Sequence, residues 1–214
     1  MFLNRQEAGE KLALKLKKYQ NNSQAIILAL PRGGVVVGYE LAKRLNLPLD
    51  IIITRKVGAP GNPEFALGAV TQEGQLILNK ETLNYYNLDS DYLKKEAERQ
   101  IQEIKRRLKK YRGARLLVNL KDKIVIIVDD GIATGASIKA AIYSIKNQKP
   151  KKIILAIPVG PKETIEELRK EVDKIVCLKE PEIFFAVGQF YQSFEQVPDE
   201  EVKKLLSLSD NKNS

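Results

Sequence analysis

The sequence contains no histidine, a single cysteine, and no apolar run longer than a strand. Without histidine there is no Ser-His-Asp or Cys-His catalysis, no His-ligated zinc, and none of the commonest general base. Any chemistry must run on carboxylates, Lys, Arg, hydroxyls and backbone, with an oxygen-bound metal such as Mg²⁺ as the compatible cofactor. One cysteine permits neither a disulfide framework nor a thiolate metal site, and Cys177, set in the apolar run Lys174–Leu178, reads as a core residue. No run is long enough for a transmembrane helix. The first ten residues, Met1–Glu10, lack the apolar core of a signal peptide. A soluble, cytoplasmic protein with no membrane partner is expected.

What is present is the composition of a globular chain, 43% hydrophobic and 29% charged over 214 residues, enough for one domain with a proper core. The net charge of +9 suits anionic ligands, nucleic acid included. It is unevenly spread: Lys94–Arg115 holds ten Lys/Arg against three Glu.

The most informative stretch is Lys123–Ser137. Lys123–Val128 is rich in β-branched residues and suits a strand buried on both faces. Asp129 and Asp130 stand at its C-terminal end, a loop from Gly131 to Ser137 follows, and Ile138–Ile145 has helical spacing. In an open α/β sheet ligands sit at this position, outside the carboxyl ends of the strands. Ala133, Thr134, Gly135, Ala136 and Ser137 can aim backbone N–H groups and two hydroxyls at a phosphate, helped by the helix behind them. Carboxylates would repel that phosphate, so Asp129 and Asp130 should meet sugar hydroxyls or Mg²⁺ attached to it. The plainer alternative is a buried strand ending in an Asp turn and a capped helix. A Walker A loop is excluded, because no Gly-Lys-Ser/Thr sequence occurs there.

Other elements follow the same alternation. An amphipathic helix is expected over Asn4–Tyr19, with Ala8, Leu12, Leu16 and Tyr19 on one face. Ala25–Leu30 reads as a buried strand, then Pro31-Arg32-Gly33-Gly34 and a helix over Val35–Leu45. The two glycines permit close backbone approach to a ligand and Arg32 adds a fixed charge, although a tight structural turn would need the same residues. Leu49–Thr54 makes the next strand, with Arg55 and Lys56 at its end as either a phosphate contact or a solvated terminus. Val57–Phe65, with Gly58, Gly61 and Glu64, has loop chemistry. Gly68–Leu78 reads as a hairpin around Gln72-Glu73-Gly74, Lys80–Tyr86 as a short helix, and Ser90 onward as a long helix toward Tyr111. Beyond the Ile138 helix come a strand over Lys152–Ile157, a helix over Lys162–Glu171, a strand over Lys174–Leu178 and a last helix over Asp199–Leu206. The alternation implies an open, mostly parallel twisted sheet with helices on both faces. The segment Glu180–Glu195 gathers five of the fourteen aromatics, either as terminal packing or as a wall for a planar substrate.

The run Val125–Ser137, a hydrophobic strand into two acids and a loop ending Thr-Gly-Ala-Ser, resembles the PRPP-binding motif of the type I phosphoribosyltransferases. More narrowly, Phe2–Gly9, Leu30–Gly34 and Ala186–Tyr191 look like a group of phosphoribosyltransferases of unassigned substrate. The resemblance implies a single domain over residues 1–214, with a small hood built from about residues 1–20 and 180–208. It implies transfer of 5-phosphoribose from PRPP to a nitrogenous base or related small-molecule acceptor, with release of pyrophosphate and Mg²⁺ as cofactor. In that reading Ala133–Ser137 anchor the 5′-phosphate, and Arg32, Gly33, Gly34, Arg55 and Lys56 meet the pyrophosphate. Asp129 and Asp130 hold the ribose hydroxyls or the metal, directly or through water. Asp129, Asp130, Arg32 and Lys56 form the catalytic set, and Gly58, Gly61 and Glu64 belong to a flexible closing loop. The resemblance allows a homodimer, as in many relatives. The other functional class open at this point is a PRPP-sensing regulator on the same fold that binds RNA or DNA through the Lys94–Arg115 face.

Overall fold

The computed structural model describes residues 1–78, 90–113 and 118–210. Five strands, β1 (Ala25–Ala29), β2 (Leu49–Ile51), β6 (Ile124–Val128), β7 (Lys152–Val159) and β8 (Lys174–Lys179), form one sheet in the order β2-β1-β6-β7-β8. Every pairing in it is parallel. The open α/β fold expected from the alternation is therefore present. From β1 the chain steps outward to β2, and on the other side of β1 it leaves from β6 toward β7. The C-terminal ends of β1 and β6 thus lie side by side at the point where strand order reverses, with Ala29 opposite Val128.

Both sheet faces are buried, which explains why the strands read as continuous apolar runs. Successive side chains of β1 point to opposite faces. Ile27 and Ala29 join a core with Leu12, Leu16, Val37 and Leu41, whereas Ile26 and Leu28 pack with Ile138, Ile142, Ile165 and Leu168. The first layer is built from α1 (Arg5–Lys15), α2 (Gly33–Leu45), α3 (Ser90–Arg112) and α6 (Asp199–Asp210); α4 (Ala136–Asn147) and α5 (Lys162–Arg169) cover the opposite face. Asn4 caps α1 by accepting from the Glu7 N–H at 2.9 Å. The helix expected to reach Tyr19 ends at Lys15 and tightens into a 3-10 turn over Lys17–Tyr19, which keeps Leu16 and Tyr19 buried.

The stretch expected as a loop over Val57–Phe65 is instead the tip of a β-hairpin. Strands β3 (Arg55–Ala59) and β4 (Asn62–Val70) pair antiparallel, so Gly58 lies in β3, Glu64 in β4, and only Pro60 and Gly61 make the turn. Gly61 has φ +72°, and two register shifts beside Gly58 absorb the irregularity as bulges. Glycine and proline density marks a bulged hairpin here, not an open loop. The hairpin around Gln72–Gly74 is present as β4 with β5 (Leu76–Leu78). The short helix expected over 80–86 lies outside the described residues.

The long basic helix α3 is tied to the sheet edge by its last turn. Arg112, nearly buried, donates from Nε and Nη2 to the two carboxylate oxygens of Asp50 at 3.2 and 2.9 Å, and from Nη2 to the Ile51 carbonyl at 2.9 Å. Lys110 and Tyr111 both donate to Asp199 on α6. The chain ends also meet: the Phe2 N–H donates to the Phe190 carbonyl at 2.7 Å, and Gln192 N–H to the Phe2 carbonyl at 2.8 Å. Phe2 packs on Tyr191, and Tyr191 stacks on Phe194 with ring centroids 4.9 Å apart. Most of the tail's aromatics therefore pack on one another, while Phe185 is 86% exposed. Among the described residues no helix is long and apolar enough to cross a membrane.

Because removing one partner leaves a buried charge unpaired, Arg112→Ala should destabilise the protein by about 3–5 kcal/mol. The urea-unfolding midpoint checks this, and Asp50→Asn in the same background should recover part of the loss.

Candidate active site

A cavity of about 350 Å³ opens at the C-terminal ends of β1 and β6. Its wall contains Asp129, the loop Gly131–Ser137, Arg55, Lys56 and Arg107. The run of β-branched residues in β6 ends at Val128, and the backbone delivers two adjacent carboxylates into the crevice. The Asp130 N–H donates to Asp129 Oδ1 at 2.8 Å. Burial, and then the neighbouring Asp130, push the Asp129 carboxyl well above the usual carboxylate range.

Asp130 points elsewhere. Its Oδ2 accepts from Arg5 Nε at 2.7 Å, and its carbonyl accepts from the Tyr191 hydroxyl at 2.6 Å. The Arg5 guanidinium lies 3.8 Å from the centroid of Phe194 and donates from Nη1 to the Glu195 carbonyl. Arg5 was not among the residues singled out from the sequence. Nothing in one local stretch links it to Asp130, 125 positions away.

The glycines after Arg32 have a specific reason. A Cβ on Gly33 would stand 1.8 Å from Asp130 Oδ2, and one on Gly34 would stand 2.9 Å from the Asp129 Cα. In the folded chain the space left by the missing Cβ atoms is taken by the two acids. The Pro31–Arg32 peptide bond is cis. Arg32 reaches Asp199, with Nη1 3.9 Å from Oδ1, and is not part of the cavity wall, which takes Leu30 and Pro31 from this loop. Lys110 and Tyr111 hold the Asp199 carboxyl down at about 2.

Ala133 to Ser137 turn into the first residues of α4. Gly135 has φ +73°, a conformation suited to glycine, and its carbonyl accepts from the Lys139 N–H as the helix begins. The amides of the first turn have no partner within the helix, which makes its N-terminus receptive to an anion. Thr134 is exposed at the mouth, and Thr54 Oγ1 donates to the Ser137 carbonyl at 2.9 Å, pinning the loop to the connection between β2 and β3.

The cationic side comes from β3 and α3. Arg55 Nε donates to Gln100 at 2.8 Å, and Gln100 in turn donates to Glu96 at 2.7 Å. Burial, followed by the nearby Arg107, lowers the Arg55 pKa. Arg107, on the basic run but not singled out from the sequence, lines the same cavity. The structure thus brings together Asp129, Ala133–Ser137, Arg55 and Lys56; Asp130, Arg32, Gly33 and Gly34 form the layer behind and beside them. Cys177 takes no part: burial pushes its thiol up to about 12.

Oxygen donors suit Mg²⁺, and Asp129 offers one on the cavity wall. Asp130 is less suited while Arg5 neutralises it. For linkage, the folded-state pKa of Asp129 lies above its unfolded value. Its contribution therefore favours the folded state when protonated and is lost as pH rises from about 3.8 through the raised value. Asp129→Asn should raise the Tm at pH 7, and the gain should shrink toward zero near pH 4, as thermal melts across that range would read.

The geometry agrees with what the chain is similar to. The phosphoribosyl transferase domain family matches residues 3–194. Two Mycobacterium tuberculosis proteins, from different strains and provisionally named phosphoribosyl transferases, are 39% identical over 206 residues. The match covers 96% of this chain and 46% of theirs, so the chain spans about half the length of these relatives. The crystal structure of TT1426 from Thermus thermophilus is 43% identical, with a TM-score of 0.81 over 96% of this chain and 97% of that one. AQ2163 from Aquifex aeolicus, at 14% identity and a TM-score of 0.51 over 81% of this chain and 73% of its own, shares the fold. On its motif, its sheet and these likenesses, the chain belongs to the phosphoribosyl transferase family.

Proposed function

We propose that this chain binds PRPP in the cavity at the end of β6 and transfers its 5-phosphoribosyl group to a nitrogenous small-molecule acceptor, releasing pyrophosphate. The observation that carries this reading is the joint placement, in one cavity, of the Ala133–Ser137 cradle, a half-buried Asp129 carboxyl and the cations Arg55 and Lys56. A phosphate cradle, a carboxyl and a cationic wall gathered in one cavity match a ligand that carries a phosphate, a diphosphate and sugar hydroxyls.

In this reading the first amides of α4, with Thr134 and Ser137, hold the 5′-phosphate, and that binding energy orients the ribose. Asp129 accepts hydrogen bonds from the ribose hydroxyls and lies near the positive charge that develops on the sugar. The C1–O bond breaks with its electron pair leaving on pyrophosphate, while the acceptor nitrogen's lone pair forms the new C1–N bond. Lys56, Arg55, Arg32 and the Gly33 and Gly34 amides are the groups available to stabilise the negative charge that grows on the leaving group. Mg²⁺ held by Asp129 and substrate oxygens would supply further charge neutralisation there. The hairpin tip around Gly61 and the hood from both chain ends would exclude water from C1. The aromatic tail beside Gly131 supplies the surface against which an acceptor would rest: a Cβ on Gly131 would meet Val187 at 2.4 Å.

Calorimetry with PRPP and Mg²⁺, followed by pyrophosphate release against a panel of bases and other nitrogenous acceptors, tests the proposal. Wild-type protein should bind PRPP, and the double variant Asp129→Asn/Asp130→Asn should lose at least tenfold in affinity, the scale of a lost charge-assisted hydrogen bond. Unchanged binding in that variant would overturn the reading.

A further inference from the structure

The basic run on α3 has no role in the reading above, and its geometry assigns one. Five of its cations, Arg99, Arg106, Arg107, Lys110 and Arg112, are engaged in ion pairs within the chain. Arg106 and Arg107 share a single carboxylate, Glu103, at 2.7 Å each. They differ in where they sit: the Arg106 side chain is 57% exposed, whereas Arg107 is 23% exposed and lines the cavity. Beside it on the same wall stands Arg55, whose Nε is satisfied by the neutral amide of Gln100.

Two guanidiniums on one wall, half-buried and close enough to depress the Arg55 pKa, repel each other. The arrangement becomes favourable when a multivalent anion lies between them. The charged side chains of the cavity wall are Arg55, Lys56, Arg107 and Asp129, an excess of cations even with the acid ionised. A cradle of amides and hydroxyls at Ala133–Ser137 can take one phosphate, and the two guanidiniums of the wall, Arg55 and Arg107, stand ready for a second anionic group. The guanidinium fork is suited to bidentate recognition of phosphate oxygens. A polyanion bound along the helix would use the outward Arg106 as readily as Arg107. A diphosphate in the cavity would use Arg107 alone.

We infer that Arg107 is a pyrophosphate-contacting residue, delivered into the cavity by α3 from outside the strand-end loops, with Glu103 as the counter-ion it shares with Arg106 until the diphosphate arrives. The inference rests on the proposed PRPP site and deepens it.

The test is equilibrium binding of inorganic pyrophosphate with Mg²⁺ to the full chain, comparing wild type with Arg107→Gln, Arg107→Lys and Arg106→Gln. Arg106→Gln removes the other cation from the same carboxylate and controls for loss of helix stability, as thermal melts of both variants would verify. Arg107→Gln should weaken pyrophosphate binding by about tenfold or more, Arg107→Lys by less, and Arg106→Gln by under about twofold. Where an acceptor supports turnover, Arg107→Gln should also lower kcat/KM for PRPP, whereas Arg106→Gln should not. Wild-type binding with Arg107→Gln within about twofold of it would overturn the role of Arg107 and leave the site intact. Equal losses in Arg106→Gln and Arg107→Gln would overturn it as well, by assigning the effect to the helix. Failure of wild type to bind either pyrophosphate or PRPP would overturn the proposed site itself.

Discussion

Two carboxylates side by side at the end of a buried strand repel each other. A pair of unit charges about 4 Å apart interacts by about 4 kcal/mol at the dielectric typical near a protein surface. The chain handles the repulsion by giving the two acids different partners. Asp130 is turned to Arg5 and carries a compensated charge, while Asp129 keeps a hydrogen bond from the Asp130 amide and faces the cavity. Gly33 and Gly34 matter for the same reason, because only a backbone without Cβ atoms can lie against both acids. The ion pair between Arg5 and Asp130 therefore links four separate stretches: the N-terminal helix, the glycine corner after β1, the end of β6, and the aromatic tail whose Phe194 lies beside the guanidinium.

This linkage couples the ends of the chain to the chemistry. Arg5 is the first residue of α1, whose start is set by the Asn4 cap and by the pairing of Phe2 with residues 190 to 192. Loosening the tail would release Arg5, and releasing Arg5 would leave Asp130 charged and unpaired beside Asp129. Holding an ionised carboxyl beside Asp130 at this strand end costs stability. The sheet topology supplies the place and the ion pair supplies the electrostatics. Neither alone would hold two acids next to the Ala133–Ser137 loop.

The parallel sheet was legible because its strands are buried on both faces and alternate with helices of clear apolar period. The placement of Asp129 and Ala133–Ser137 at one strand end was legible because these residues are contiguous: they lie in one loop and one helix start. What could not be read depended on contacts between distant segments. Val57–Phe65 carries two glycines and two prolines and reads as a loop, yet pairing across Pro60-Gly61 makes a hairpin, because bulges beside Gly58 let an irregular strand stay in register. Gly33 and Gly34 read as sites of close approach, and what their missing Cβ atoms leave room for, Asp130 and Asp129, lies about a hundred residues away in sequence. Arg5 has no local signature. Arg107 is one of ten similar cations, and only its position on α3 relative to β3 distinguishes it.

The charge of the chain takes on a different meaning once those positions are known. A net charge of +9, concentrated on one helix, suggests a surface for a long polyanion. On that helix, however, Glu96 and Glu103 pair with the outward Arg99 and Arg106 at three-residue spacing, Glu103 also meets the inward Arg107, and Asp199 and Asp50 take Lys110 and Arg112. Exposed pairs of this kind contribute little stability, but they reduce the field the helix presents to solvent. The cations of the cavity wall act in a more confined space, where low-dielectric walls focus the field and an entering anion meets them at short range. The helix thus presents two kinds of cation, those paired or exposed on its outer face and Arg107 on the cavity wall, and only the second kind stands where a small anion entering the cavity would meet Arg55 and Lys56 as well.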